Sequence, residues 1–346
     1  MLRVLDPGLV TTVQDRGRPG YQRVGIPPAG ALDTEALALA NALAGAPADA
    51  AALECRFLGP TLEAEGAAVR VALAGATARG TVTRTDGTSA PFEGWRSLIL
   101  APGDRLGLGA LGPSATAYLA VSGGLALAPV MGSRSTLMRA RLGGIDGRAL
   151  RVGDRLAAGA LPDPADRAER GLEPPRGWLS DAPIRVVLGP QDDHFTPEAV
   201  AAFLGSVWRI SGKADRMGLR LEGPTLQHHT APGRGADIVS DGIVTGAVQV
   251  PGSGQPILLL ADRQTSGGYA KIAAAISADL PRLGRLGPGR TLRFEAVDTG
   301  TAAALAAEAR AHLQALIGAI APVRDGLDLD ALYRENLISG IADPGD

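Results

Sequence analysis

Short apolar runs bounded by glycine, proline and polar residues recur along the chain, and their lengths suit β-strands better than helices. Leu2–Leu5, Val69–Ala74, Leu98–Leu100, Thr116–Val121, Ile184–Leu188, Val244–Val250, Ile257–Leu260 and Leu292–Ala296 are the predicted strands. Helical patterns are fewer. One starts at Asp33 or Thr34 and runs through EALALANALAG, with Gly45 placed to cap its C-terminus. A second has Thr196 as N-cap and Pro197 at its first position. A third is predicted after Gly267-Gly268, through YAKIAAAISADL. A fourth follows about Gly300, where Leu305, Leu313, Leu316 and Ile320 share one face of an Ala-rich stretch. The expected fold is mainly β, a β-rich α+β arrangement of barrels or sandwiches decorated by a few helices.

A chain of 346 residues suggests two packed units at about 150 residues each. The polar, Pro-rich stretch from Pro162 to Pro183 reads as their connection. The expected organisation is a first unit over 1–165, a linker over 166–183, a second unit over 184–298 and a helical tail over 299–346. Hydrophobic residues at 45% and charged residues at 20% are enough for a core. Aromatics at 3% and 47 glycines mean that Ala, Val, Leu and Ile must build it around tight turns.

Charge narrows the partners. The net charge of -2 includes no basic concentration on the scale that phosphate-backbone binding needs, which argues against nucleic acid. No apolar run approaches the roughly 20 residues of a membrane span. The single Cys55 cannot form an internal disulfide, and the opening MLRVLDPG lacks a signal-peptide pattern, so the cytoplasm is the expected location.

Candidate chemistry falls in three clusters. In the first, Thr11 to Tyr21, Gln14, Asp15 and Arg18 form either an anion site or a turn in which Asp15 pairs with Arg18 at the surface. The second, Gly25 to Asp33, leads into the first helix and is either an anion site of free backbone N–H groups or a helix start whose donors Asp33 occupies as N-cap. Asn41 and Glu54 beyond it are either buried structural groups or site members. The third spans Ser240–Pro251 and Asp262–Lys271: Asp262 ends an apolar strand, and Gln264 and Thr265 lie in the following turn. Lys271, one of only two lysines, reads as a carboxylate or phosphate ligand or as a solvated residue. Asp215 and Arg216 are either another carboxylate–guanidinium set of the site or a structural ion pair. His228-His229 are adjacent and the other histidines distant, so no metal is expected; phosphate-loop, CxxC, HExxH and GxSxG motifs are absent.

Taken in order, GLVTTVQDRGRPGYQRVGIPPAGALD (8–33), MGSRST (131–136), DRMGLRL (215–221) and VTGAVQVPGSGQPILLLADRQTSGGYAKI (244–272) resemble the signatures of the allophanate hydrolase subunit 2 family, also called the biotin-dependent carboxyltransferase family or the 5-oxoprolinase C-type subunit family. Ala29, Leu32 and Ala270 depart from its usual Ser, Met and Pro. The resemblance implies two cyclophilin-like β-barrel domains. It also implies a subunit-1-like (KipI-like) partner, with a third subunit where the complex is an ATP-dependent 5-oxoprolinase. Such an enzyme opens the lactam of 5-oxoproline to glutamate, with ATP used in the assembled complex and no covalently bound cofactor. The alternatives are a carboxyltransferase component, served by biotin in trans and acting on a urea-like amide, and a non-catalytic antagonist of the partner. Under the first reading Asp15, Asp262, Gln264 and Arg18 are the expected catalytic residues, with Asp15 or Asp262 as general base. Gln14, Asn41, Gln249, Thr265, Tyr269 and Lys271 are the expected binding residues for a small amide or lactam.

Overall fold

The computed structural model describes residues 1–159 and 168–323; the start of the predicted linker and the end of the predicted tail lie outside them. The chain is mainly β, as expected, and has two principal apolar cores. Its α-helices are α1 (Thr34–Ala44), α2 (Pro197–Gly205), α3 (Leu280–Arg285) and α4 (Thr299–Gly318).

The first unit stacks two sheets. One has six strands in the spatial order Arg155–Leu156, Leu2–Asp6, Thr61–Ala64, Arg105–Gly107, Gly80–Thr83, Ser89–Phe92. The other has seven, in the order Val10–Gln14, Ala52–Arg56, Thr116–Val121, Val69–Ala74, Arg96–Leu100, Arg170–Gly171, Ala321–Pro322. Alternation divides the second sheet's side chains between its faces. Leu53, Val71 and Leu119 join Leu2, Val4 and Leu62 of the first sheet in one core. Ala52, Ala72, Ala74 and Ala120 face the other way, where small side chains let α1 lie close. Both faces of these strands are therefore buried, which is why they read as continuous apolar runs. Helix α1 is capped as predicted: Asp33 Oδ1 accepts from the Glu35 and Ala36 amides at 3.1 and 3.0 Å, and Gly45 is left-handed at φ 73°. Leu313, Leu316, Ile317 and Ile320 of the last helical stretch pack on the same apolar cluster as α1.

The second unit is an eight-stranded sheet in the order Thr291–Leu292, Trp208–Ile210, Gly218–Glu222, Ile257–Leu259, Ala247–Gln249, Lys271–Ala275, Ile184–Leu188, Phe294–Ala296. Its two edge strands are separated in sequence by Arg293 alone, so the sheet curls until its edges meet and forms a nearly closed barrel. Phe203 of α2 fills the interior, stacked on Phe294 with ring centroids 4.4 Å apart and packed near Trp208.

Three expectations change. The predicted third helix is instead two strands, Ser266–Tyr269 and Lys271–Ala275. Lys271–Ala275 pairs with Ile184–Leu188 on one side and Ala247–Gln249 on the other. Helix propensity separates ordinary residues by at most about 0.7 kcal/mol, too little to compete with a two-sided ladder in a buried position. The run Leu292–Ala296 is broken at Arg293 into the two barrel edges. Within the predicted linker, Gly171 pairs with Arg96 and Leu172 is buried, so that stretch is built into the first unit's sheet.

Candidate functional site

Loop 15–31 carries the first cluster and closes on itself. Arg18 N donates to Pro28 O at 2.7 Å and Ala31 N to Asp15 O at 2.9 Å. Gly17 and Gly30 sit back to back at φ 85° and 86°, and a Cβ on Gly30 would fall 2.8 Å from Gly17 N. Gly30→Ala is expected to destabilise the fold by about 1–3 kcal/mol, because it adds a strained φ to a backbone collision. A chemical denaturation midpoint unchanged from that of the parent would contradict this.

The Asp15 carboxylate is held by four donors. Oδ1 accepts from Gly17 N at 2.8 Å, Ser133 Oγ at 2.6 Å and Ser135 Oγ, and Oδ2 from Arg134 N at 2.5 Å. It staples the loop to segment 131–136, and so explains why DRGR and MGSRST belong together. Arg18 is not paired with Asp15 at the surface: it is 1% exposed, and it donates to Ser135 O and Val130 O. Gln14 donates to Thr12 Oγ1 and Thr136 O at 3.0 and 3.1 Å. Asn41 lies apart from this group, holding the Ala48 and Ala50 carbonyls after α1.

The loop faces the second unit, and the seam between the units is built on two arginines. Arg216 donates Nε to Asp262 Oδ2 at 2.9 Å and Nη2 to Asp262 Oδ1 at 3.0 Å, Nη1 to Glu54, and Nη2 to Gly30 O at 2.6 Å. Its expected partner, Asp215, instead caps the turn at Met217 and Gly218. Glu54 also accepts from Tyr118 Oη at 2.6 Å and Leu32 N at 3.0 Å. Arg285 of α3 reaches across to Asp33 at 2.7 Å and to Glu35, and lies 3.4 Å over the Trp178 ring. Ala29, where the family carries a serine, contributes its backbone N–H to Ala261 O at 3.2 Å, a bond any side chain permits.

Burial alone would raise the Glu54 pKa, but the Arg216 charge and the Tyr118 and Leu32 hydrogen bonds outweigh it and hold the carboxyl below its ordinary value of 4.5. On unfolding it returns to that value. The stabilisation is thus complete above pH 4.5 and lost as pH falls through the lower folded value. Acid unfolding of Glu54→Gln is expected to be less steep than that of the parent below pH 4.5; superimposable acid transitions would refute it.

On the barrel side, the third cluster assembles around Ile243. Gln264 Nε2 donates to Gln249 Oε1 at 3.0 Å, and Gln249 Nε2 lies 3.5 Å from Tyr269 O. Arg263 Nε and Nη2 donate to Ile243 O at 3.2 and 3.0 Å, and Gln22 of the first unit donates to the same oxygen at 3.0 Å. Thr265 accepts the Ile243 amide on its carbonyl, and Tyr269 is 43% exposed on the ribbon formed by Asp237–Gly242 and Ser266–Tyr269. Lys271, buried at 3% exposure, has Nζ 3.2 Å from Asp241 Oδ2 on that ribbon.

The structure therefore joins Arg18, Asp262, Gln249, Gln264, Thr265 and Tyr269 along one seam and ribbon, with Asp15 and Gln14 behind the loop and Asn41 elsewhere. Arg263, Arg285 and Tyr118 were missed as site or seam residues, and Arg216 was singled out but with Asp215 as its partner. Their partners come from other strands; Tyr118 meets Glu54 only through the cross-strand register.

The carboxyltransferase domain family model, subdomain A and B, matches residues 24–296. The chain is 40% identical over 294 residues to the C-type subunit of 5-oxoprolinase from Escherichia coli, spanning 85% of this chain and 90% of that protein. It is 36% identical to the Haemophilus influenzae protein of the same name, spanning 88% and 94%. The crystal structure of the K. lactis urea amidolyase superposes with a TM-score of 0.79 at 27% identity, covering 94% of this chain but only 21% of that one. Fold, motif order and relatives matched along most of their length agree: the chain belongs to the carboxyltransferase subdomain A and B family.

Proposed function

We propose that this chain is the C-type subunit of a cytoplasmic, ATP-dependent 5-oxoprolinase, acting with a subunit-1-like partner and a third subunit. The match along nearly the whole length of two proteins that bear that C-type subunit name carries the reading. The much longer urea amidolyase contains this region as a minor part. ATP is used in the assembled complex.

The geometry ranks the two candidate bases. Asp15 is held by four donors from its own unit, three on Oδ1 and one on Oδ2, whereas Asp262 lies on the seam. Each Asp262 oxygen accepts one Arg216 donor and keeps a second lone-pair direction. Asp262 is the proposed base, Arg18 stabilises negative charge developing on the attacked carbonyl, and Gln249 with Gln264 orients the amide. Thr265, Tyr269 and Lys271 line the approach. The second reading, a carboxyltransferase component served by biotin in trans, is favoured by the family match.

The test is 5-oxoproline and ATP consumption by the companion subunits with and without this chain. Consumption only with the chain supports the proposal. Assembly without consumption refutes it, and avidin-sensitive carboxylation of an amide would then establish the second reading.

A further inference from the structure

Arg263 is a buried cation without a counter-ion. It is 2% exposed, and no carboxylate lies within ion-pair reach among the described residues. Two of its nitrogens are spent on Ile243 O, and Nη1 has neither an acceptor nor solvent. Burial pushes its pKa down to about 10, so it still carries its charge at neutral pH. A buried charge with no partner costs several kcal/mol, a poor choice for structure alone.

Its surroundings are donors and amides. Gln22 shares the Ile243 carbonyl, and a Cβ on Gly267 would meet both Gln249 Nε2 and Ile243 Cδ1 at 2.6 Å. Gln249, Gln264, Gln22 and Arg263 thus form one contiguous cluster around Ile243 with no acid in it. The neighbouring carboxylate, Asp262, pairs with Arg216 and not with Arg263. The half-buried Gln264 and Thr265 follow Arg263 in the chain and lead to the exposed ribbon residues Ser266 and Tyr269.

We infer that Arg263 is the carboxylate-binding residue of this site: its free Nη1 takes the carboxylate of the substrate while the Gln249–Gln264 pair reads the adjacent amide. The inference rests on the 5-oxoprolinase reading for the identity of the substrate, and on the unpartnered cation for the site itself. It separates substrate from analogue, since 5-oxoproline and 2-pyrrolidinone share a lactam ring and differ in the carboxylate.

The experiment compares the parent complex with Arg263→Gln and Arg263→Lys, measuring thermal shift by 5-oxoproline, 2-pyrrolidinone and glutarate together with KM and kcat. In the parent, the two carboxylates bind more tightly than the neutral lactam. In Arg263→Gln, carboxylate affinity falls about tenfold to a hundredfold, KM rises in step and by more than kcat falls, and the unliganded melting temperature does not drop. Arg263→Lys, which keeps the charge, restores part of the affinity. Carboxylate affinity unchanged in Arg263→Gln overturns the inference. So does an Arg263→Gln that fails to fold beside an Arg263→Lys that folds and binds carboxylates no better than 2-pyrrolidinone. Glutarate binding that depends on Arg263 without any 5-oxoproline turnover leaves the site standing and removes only the proposed substrate.

Discussion

Replacing Arg216 with methionine is expected to destabilise the chain by about 3–5 kcal/mol, the cost of breaking a buried ion pair from one side. Arg216 is 6% exposed and holds Glu54 from the first unit and Asp262 from the second, with Gly30 O completing its donors. Its removal leaves two buried carboxylates facing each other across the seam. One of them must protonate or water must enter, and either opens the contact between the units. Urea denaturation followed by circular dichroism and tryptophan fluorescence provides the measurement. The parent should show coincident transitions and Arg216→Met a lower midpoint, with the two probes diverging as the units uncouple. Adding Glu54→Gln and Asp262→Asn should recover part of the loss, since the pair's value lies in mutual compensation. A loss below about 1 kcal/mol would mean that the seam is held by Arg285 and the backbone contacts instead.

Asp262→Asn is expected to lower kcat of the assembled complex by about 10²- to 10⁴-fold, the range lost with a general base. Asparagine keeps an acceptor oxygen for Arg216, so assembly should survive. Asp15→Asn gives the contrast. Its carboxylate receives only donors from its own unit, so the substitution should lower stability while leaving kcat per folded molecule near the parent value. Near-parental kcat in Asp262→Asn would remove that residue from the mechanism and leave Arg18 and Arg263 as the groups that act on substrate. The two variants separate chemistry from positioning, because Asp262 faces the seam and Asp15 holds the loop from behind it.

The strand runs, α1 with its Asp33 and Gly45 caps, and α2 with Thr196 and Pro197 were legible in the sequence because each depends on neighbours within a few residues. DRGR and MGSRST stand out in the sequence as separate signatures, and the Asp15 staple that joins them belongs to the structure. Lys271–Ala275 was misread because its alanines favour a helix locally, and only a ladder on both sides makes it a strand. Asn41 was drawn into the candidate site by its polarity in an apolar helix. Its amide is used by the carbonyls of the next turn.

Local interactions and motif order, both carried by the chain's order of residues, are sufficient for a mainly β protein, for the caps of its first helices, and for a family whose signatures lie in four separated segments. Which charges meet is settled only in three dimensions. Glu54, Arg216 and Asp262 are far apart in the chain and form one buried unit. Arg285 finds Asp33 across 252 residues. Arg263 differs from them in having no carboxylate partner among the described residues, its Nη1 being left without an acceptor. Electrostatic pairing in a low-dielectric interior depends on distances of a few ångströms, and the fold sets those distances between strands that the order of residues keeps apart.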